Sequence, residues 1–344
     1  MIWHPLTLAI AATDFLALLF FARAGWTAVR TLADWSDEAS TREQIRLETA
    51  YEIGAISARL VFALVLLSTL LLVVAVTIVF PALVPGAMCG TGVLQATSGA
   101  GGRAFLFRLP AVGLLYLWSV MEALNRSRPD FPLARQNSRF LLLAVPFIIL
   151  AAYETFGALG HLNVHNPVDC CTAVYDRVAG TGKVGRPEWV GGPILVGLFG
   201  AATLLLVALG VSGLASPRRY LGFISAAAAL IAFAWGPLSA VVLVRVLAAY
   251  TYEVLYHHCP WCLFLPEHGA VGFPLFLFLG IAVIQAAAAF AAFRVTTGIP
   301  GLAAAGEQQS RRALALMVLF ALLFTATATW PALSWRLRYG VWMG

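Results

Sequence analysis

Cys259-Pro260-Trp261-Cys262 is the segment of this chain best equipped for chemistry. Two thiols at Cys-x-x-Cys spacing form a reversible disulfide or hold a soft metal ion. The pair stands ahead of a long apolar run that begins near Gly272. The N-terminal end of a helix favours thiolate over thiol, so this placement predicts an activated sulfur. A Cys-x-x-Cys disulfide closes so short a loop that it stabilises a fold little, which favours a reactive role over an inert clamp. His257 and His258 precede the pair and supply either metal ligands or positive charge that lowers a thiol pKa. Covalent haem attachment through Cys-x-x-Cys-His is excluded, because Leu263 follows Cys262.

The remaining reactive side chains lie in two other segments. Cys89 sits in Pro85-Gly86-Ala87-Met88-Cys89-Gly90-Thr91, and the adjacent Cys170 and Cys171 follow His165-Asn166-Pro167-Val168-Asp169. Neighbouring cysteines seldom bond to each other because the ring strains the peptide, so one or both look for another partner: Cys89, the Cys259/Cys262 pair or a substrate thiol. With five cysteines, two disulfides leave one thiol over. His161 and His165 stand at i, i+4, which on a helix puts both imidazoles on one face. With a third ligand such as His268 they form a copper, zinc or haem-iron site. Glu253 and His257 share that spacing and form a proton relay. Asp14, Glu122, Glu154, Arg108 and Arg245 are charges within or beside apolar runs, where charge is costly and therefore informative.

The elements that position these residues follow from composition. Of 344 residues 61% are apolar and 11% charged, with mean hydropathy +0.86. Soluble domains carry about 25% charged residues, so this chain belongs in a lipid bilayer. Apolar runs long enough to span it are placed at 5–29, 56–84, 104–123, 139–159, 190–214, 221–250, 272–293 and 313–333. The expected fold is all-α, a polytopic bundle of about eight transmembrane helices. The mixed-charge connector within 33–54 reads as a solvated helix. The net charge of +6 comes from basic residues in short connections, a pattern of membrane topology rather than nucleic-acid binding. With both termini outside, the odd-numbered connections and their flanks hold 14 of the 22 basic residues. All five cysteines, with His4, His161, His165, His257, His258 and His268, then fall on the outer face. That face is the disulfide-permitting one in a bacterial-type cytoplasmic membrane, so the cysteine loops are expected to face the periplasm.

The segments around Cys89 and Cys170 share a preceding proline, a threonine two residues on and a valine four on, a short internal similarity. The order of span, cysteine loop with Asn-Pro, two spans, then Cys-Pro-x-Cys before the next span resembles the four-helix core of the vitamin K epoxide reductase family. More distantly it resembles bacterial disulfide-forming membrane oxidases. The resemblance covers about 139–294. It implies that Cys259 and Cys262 are an active-site pair beside a quinone; the neighbouring Trp261, Phe264 and Tyr256 either line an apolar quinone pocket or form an interfacial aromatic belt. It also implies that Cys170 or Cys171 is a loop cysteine exchanging electrons with a partner, a periplasmic thioredoxin-like or substrate protein. The chain departs from the family in the adjacency of Cys170 and Cys171 and in four additional spans.

These observations suggest a membrane thiol–disulfide oxidoreductase, exchanging electrons between periplasmic protein thiols and quinone, with Cys89, Cys170, Cys171, Cys259 and Cys262 as its catalytic residues. The expected segments are 1–138 with spans one to three, 139–294 as the redox core, and 295–344 with the last span. A second reading is a metal- or haem-handling protein using His257, His258, His161 and His165. A third is an accessory subunit of a larger respiratory membrane complex, its cysteines in structural disulfides.

Overall fold

The computed structural model of the chain describes residues 3–36, 41–165, 167–168, 192–254 and 257–343. It is all-α, and no strand occurs among the described residues. Eight helical spans are long and apolar enough to cross a membrane. They are Pro5–Asp34, Arg42–Ala82, Ala100–Asn125, Ala134–Gly160, Gly192–Ala215, Arg218–Tyr252, Gly272–Thr296 and Ala303–Tyr339. Large apolar side chains such as Phe15, Leu19, Leu70, Leu204, Phe223, Leu230 and Leu319 are exposed along them, as lipid-facing surface requires. The protein is a multi-pass membrane protein.

Each expected span is present, and most are longer than their apolar runs. The first helix, α1, is Pro5–Asp34, with His4 capping it by accepting the Leu6 N–H on Nδ1. Helix α2 (Arg42–Val74) starts within the charged connector, where the Thr41 side chain accepts from Gln44 N–H. It continues as a π turn at Ala75–Val79 and a 3₁₀ turn at Phe80–Ala82. After the short α3 (Gly90–Ala96) comes α4 (Ala100–Asn125). The fourth span breaks into α5 (Ala134–Leu143) and α6 (Val145–Gly160), because Pro146 cannot complete a helical hydrogen bond. Then follow α7 (Gly192–Ala215) and α8 (Arg218–Val242), the latter passing through a π turn at Leu243–Leu247 into α9 (Ala248–Tyr252). The last two spans are α10 (Gly272–Thr296) and α11 (Ala303–Tyr339).

The helices group into two compact units. Unit 1 holds the described residues up to Val168 together with Val295–Gly306; unit 2 holds those of 192–294 and from Glu307 onward. The division falls after the fourth span, whose second half α6 packs on α1 and α4. The core of unit 1 is built from Phe21 and Ala24 on α1, Ala58 and Val61 on α2, Leu115 and Trp118 on α4, and Leu141 and Ile148 on the fourth span. Gly54 lets α1 approach closely: a Cβ there would lie 2.9 Å from Thr27 Cβ. In unit 2, Trp235 donates to Thr203 Oγ1 at 2.8 Å and meets Phe324 edge-on, joining α7, α8 and α11. Arg311 closes the end of α7 by donating to the carbonyls of Gly213, Leu214 and Ser216.

The two units repeat one order of elements. In each, the second span ends in a π turn, at Ala75–Val79 and at Leu243–Leu247, and a cysteine segment follows, with Cys89 in one and Cys259 in the other. The third spans then run Ala100–Asn125 and Gly272–Thr296, and the fourth begin at Ala134 and Ala303. This correspondence involves Cys89 and Cys259, whereas the similarity read in the sequence paired Cys89 with Cys170, which lies outside the described residues.

Candidate functional site

The Cys259–Cys262 segment is shaped by how the sixth span ends. Glu253 terminates α9 in a left-handed conformation, φ 56°, with its N–H region closed by Val254 N–H donating to Ala249 O. Beyond this break the chain returns along the span's end. His258 Nδ1 lies 3.3 Å from the carbonyl of Val244 in the π turn. A carbonyl only accepts, so this contact is a hydrogen bond in the tautomer that carries its proton on Nδ1. Tyr252, the last residue of α9, donates its hydroxyl to the Cys259 carbonyl at 2.5 Å. Its ring is also the edge-on neighbour of both His257 and His268, each at 4.7 Å between centroids.

Cys259 then caps a 3₁₀ turn, Pro260–Phe264, in which Pro260 occupies the first position and needs no donor. Both sulfurs are buried, and they lie within 4.8 Å of each other. Phe264 anchors the turn in an aromatic group: it stacks on Phe276 at 5.4 Å and meets Phe273 edge-on at 4.9 Å, with Trp261 at 5.7 Å. Gly272 is fitted beneath it, since a Cβ there would lie 2.8 Å from the Phe264 ring.

Three expectations change. The pair does not sit at the start of a long helix: a second 3₁₀ turn at Pro266–His268 and two left-handed residues, Gly269 and Ala270, separate it from α10. The five-residue turn it does occupy has too few aligned peptides to replace that dipole. Glu253 and His257 do not share a helical face, because the helix ends at Tyr252; Glu253 is exposed and His257 buried. His161 and His165 likewise fall beyond α6, which stops at Gly160, and both are exposed; His161 Nδ1 bonds the Gly157 carbonyl. Cys170, Cys171 and Tyr256 lie outside the described residues.

Cys89, in unit 1, is buried and caps α3, where Gly92 N–H donates to its carbonyl. Its loop is pinned by Val168, whose N–H donates to Pro85 O at 3.0 Å. Gly86 there is required twice over: φ is +77°, and a Cβ would meet Val168 O at 2.4 Å. Val168, the last described residue before Cys170 and Cys171, thus lies beside the Cys89 loop.

The charges flagged within spans have distinct fates. Arg245 is exposed on the π turn, and Glu154 pairs with Arg103 at 2.9 Å. Asp14 and Arg108 form a buried ion pair. Glu122 is fully buried: it accepts from Tyr51 at 2.6 Å, Asn137 at 2.8 Å and Arg126 at 2.8 Å. Its donors Tyr51, Asn125 and Asn137 were not anticipated, and nothing in their local sequence marks them. No protein-family model, curated protein or solved structure matches this chain.

Proposed function

We propose that this protein is a membrane thiol–disulfide oxidoreductase in which Cys259 and Cys262 cycle between dithiol and disulfide. The observation that carries the reading is the approach of two buried sulfurs to within 4.8 Å on a short turn. A disulfide needs about 2.05 Å between sulfurs.

In this reading, oxidation of the pair forms the S–S bond and releases two electrons and two protons, which a membrane quinone takes up to become quinol. The reverse reaction regenerates quinone and two thiols. The aromatic group of Trp261, Phe264, Phe273 and Phe276 offers an apolar surface on which a quinone ring stacks. Because both sulfurs are buried, a soluble partner reaches them through an intermediary thiol, and since Cys89 is buried as well, Cys170 and Cys171 are the candidates. The partner is then a periplasmic thiol protein, and the membrane is the bacterial-type cytoplasmic one. Exchange proceeds by thiolate attack through a mixed disulfide.

Thiol trapping tests the reading. Membranes poised with a short-chain quinone or its quinol are quenched in acid, alkylated and digested, and the peptide holding both cysteines is weighed. Alkylation of both sulfurs after quinol and of neither after quinone is expected, with Cys259→Ser abolishing the cycle. A redox state that ignores the quinone poise overturns the proposal. Stoichiometric copper, zinc or haem lost on Cys259→Ser replaces it with metal handling.

A further inference from the structure

Unit 1 contains an ion pair that the thiol chemistry does not use. Arg108, on α4 and 1% exposed, donates through Nη2 to Asp14 Oδ2 on α1 and, at 2.9 Å, to Thr155 Oγ1 on α6. Its Nη1 reaches Thr69 Oγ1 on α2 at 3.4 Å. Four spans therefore converge on one guanidinium. Thr155 and Thr69 give their own protons to the carbonyls of Ala151 and Val65, which leaves their lone pairs for Arg108.

Three more polar atoms belong to this part of the unit. Arg108 Nε, Ser68 Oγ and Thr7 Oγ1 are all buried without a hydrogen-bond partner among the described residues. Ser68 adjoins Thr69 and is fully buried. Thr7 lies in the first turn of α1, roughly two turns from Asp14 on the same helix face, toward the end of the unit that carries Cys89. Lipid tails offer such groups nothing. Buried polar atoms in folded proteins are almost always bonded, to protein or to internal water.

We propose that unit 1 holds a water-filled recess that enters beside Thr7, passes Ser68 and ends on the Asp14–Arg108 pair. Its ligand is water, and water brings protons to an otherwise isolated pair of charges. Water bonded to Arg108 Nε gives that donor a partner and lowers the cost of holding two charges within a membrane. A dry pair acting only as a clamp between helices leaves Thr7 and Ser68 inaccessible to polar reagents, and this separates the two cases. The inference stands apart from the thiol reading and is tested apart from it.

Thr7→Cys, Ser68→Cys and the lipid-facing control Leu19→Cys, each in the full chain in lipid nanodiscs, are treated with a permanently charged methanethiosulfonate, and the modified peptides are quantified by mass spectrometry. Thiols ionise in water and not in hydrocarbon, so Thr7→Cys and Ser68→Cys are expected to react roughly tenfold or more faster than Leu19→Cys. Equal, slow reaction of all three overturns the recess. Should Ser68→Cys fail to assemble, Thr7→Cys decides alone. The unaltered protein gives a second test: high-resolution density must show ordered water on Arg108 Nε, and a dry guanidinium overturns the proposal.

Discussion

Arg108 and Asp14 illustrate at the scale of single residues how partner loss and pair loss differ. Removing one member of a buried ion pair strands the other charge, at a cost of about 3–5 kcal/mol, whereas replacing both by apolar groups is often close to neutral. Arg108→Met is therefore expected to lower the stability of the protein in lipid by about that amount. The double variant Asp14→Leu/Arg108→Met should recover most of it. Denaturant titration followed by tryptophan fluorescence measures both. A double variant as unstable as the single one shows that the pair contributes net stability and is not simply tolerated. Against a total folding stability of about 5–15 kcal/mol, the single change is large enough to be seen without ambiguity.

At the scale of elements, small residues decide how closely the spans pack. A Cβ on Gly210 of α7 would lie 2.3 Å from Cγ2 of Val318 on α11, and 2.8 Å from the Met317 side chain. Val318 is β-branched and stiff at χ1, so it cannot swing away. Gly210→Ala is expected to destabilise unit 2 by about 1–3 kcal/mol through overpacking. Gly200 lies on the same helix with nothing within 4 Å of an added Cβ. Gly200→Ala should stabilise by up to about 1 kcal/mol through helix propensity. Thermal unfolding of the two variants side by side tests the contrast, and equal shifts of the same sign contradict it. Much of this level was readable in the sequence, because a bilayer admits only helices and each needs an apolar run of span length. What escaped was where the helices stop. Helical spacing extends through His161 and Glu253, past the ends at Gly160 and Tyr252, because the residue just beyond each helix is His161 or Glu253 rather than the usual glycine. The π turns also leave no composition signal. The donors around Glu122 come from Tyr51 and Asn137, 71 and 15 residues away, and only tertiary packing brings them in.

The largest-scale feature is the repeated order of span, span, π turn, cysteine segment, span and span. Each repeat contains four spans, an even number, so the second repeat enters the membrane from the side on which the first began, as in parallel transporter repeats. On the topology proposed above, the Cys89 and Cys259 segments are expected on the same side of the membrane. The proposed orientation rests on the basic residues: Arg126, Arg128, Arg135 and Arg139 flank one connection and Arg294, Arg311 and Arg312 another, which the positive-inside rule would place on the cytoplasmic side. Reporter fusions separate these two claims. Fluorescent-protein fusions after Asp130 and Gly298 are expected to be bright, and alkaline-phosphatase fusions after Gly86 and Glu267 to be active. Reversal of all four signals inverts the orientation and moves the thiols to the reducing side, where a quinone-linked disulfide cycle loses its oxidising compartment. Disagreement between the fusions at Gly86 and Glu267 is the sharper result. It breaks the even count of spans on which the proposed topology rests.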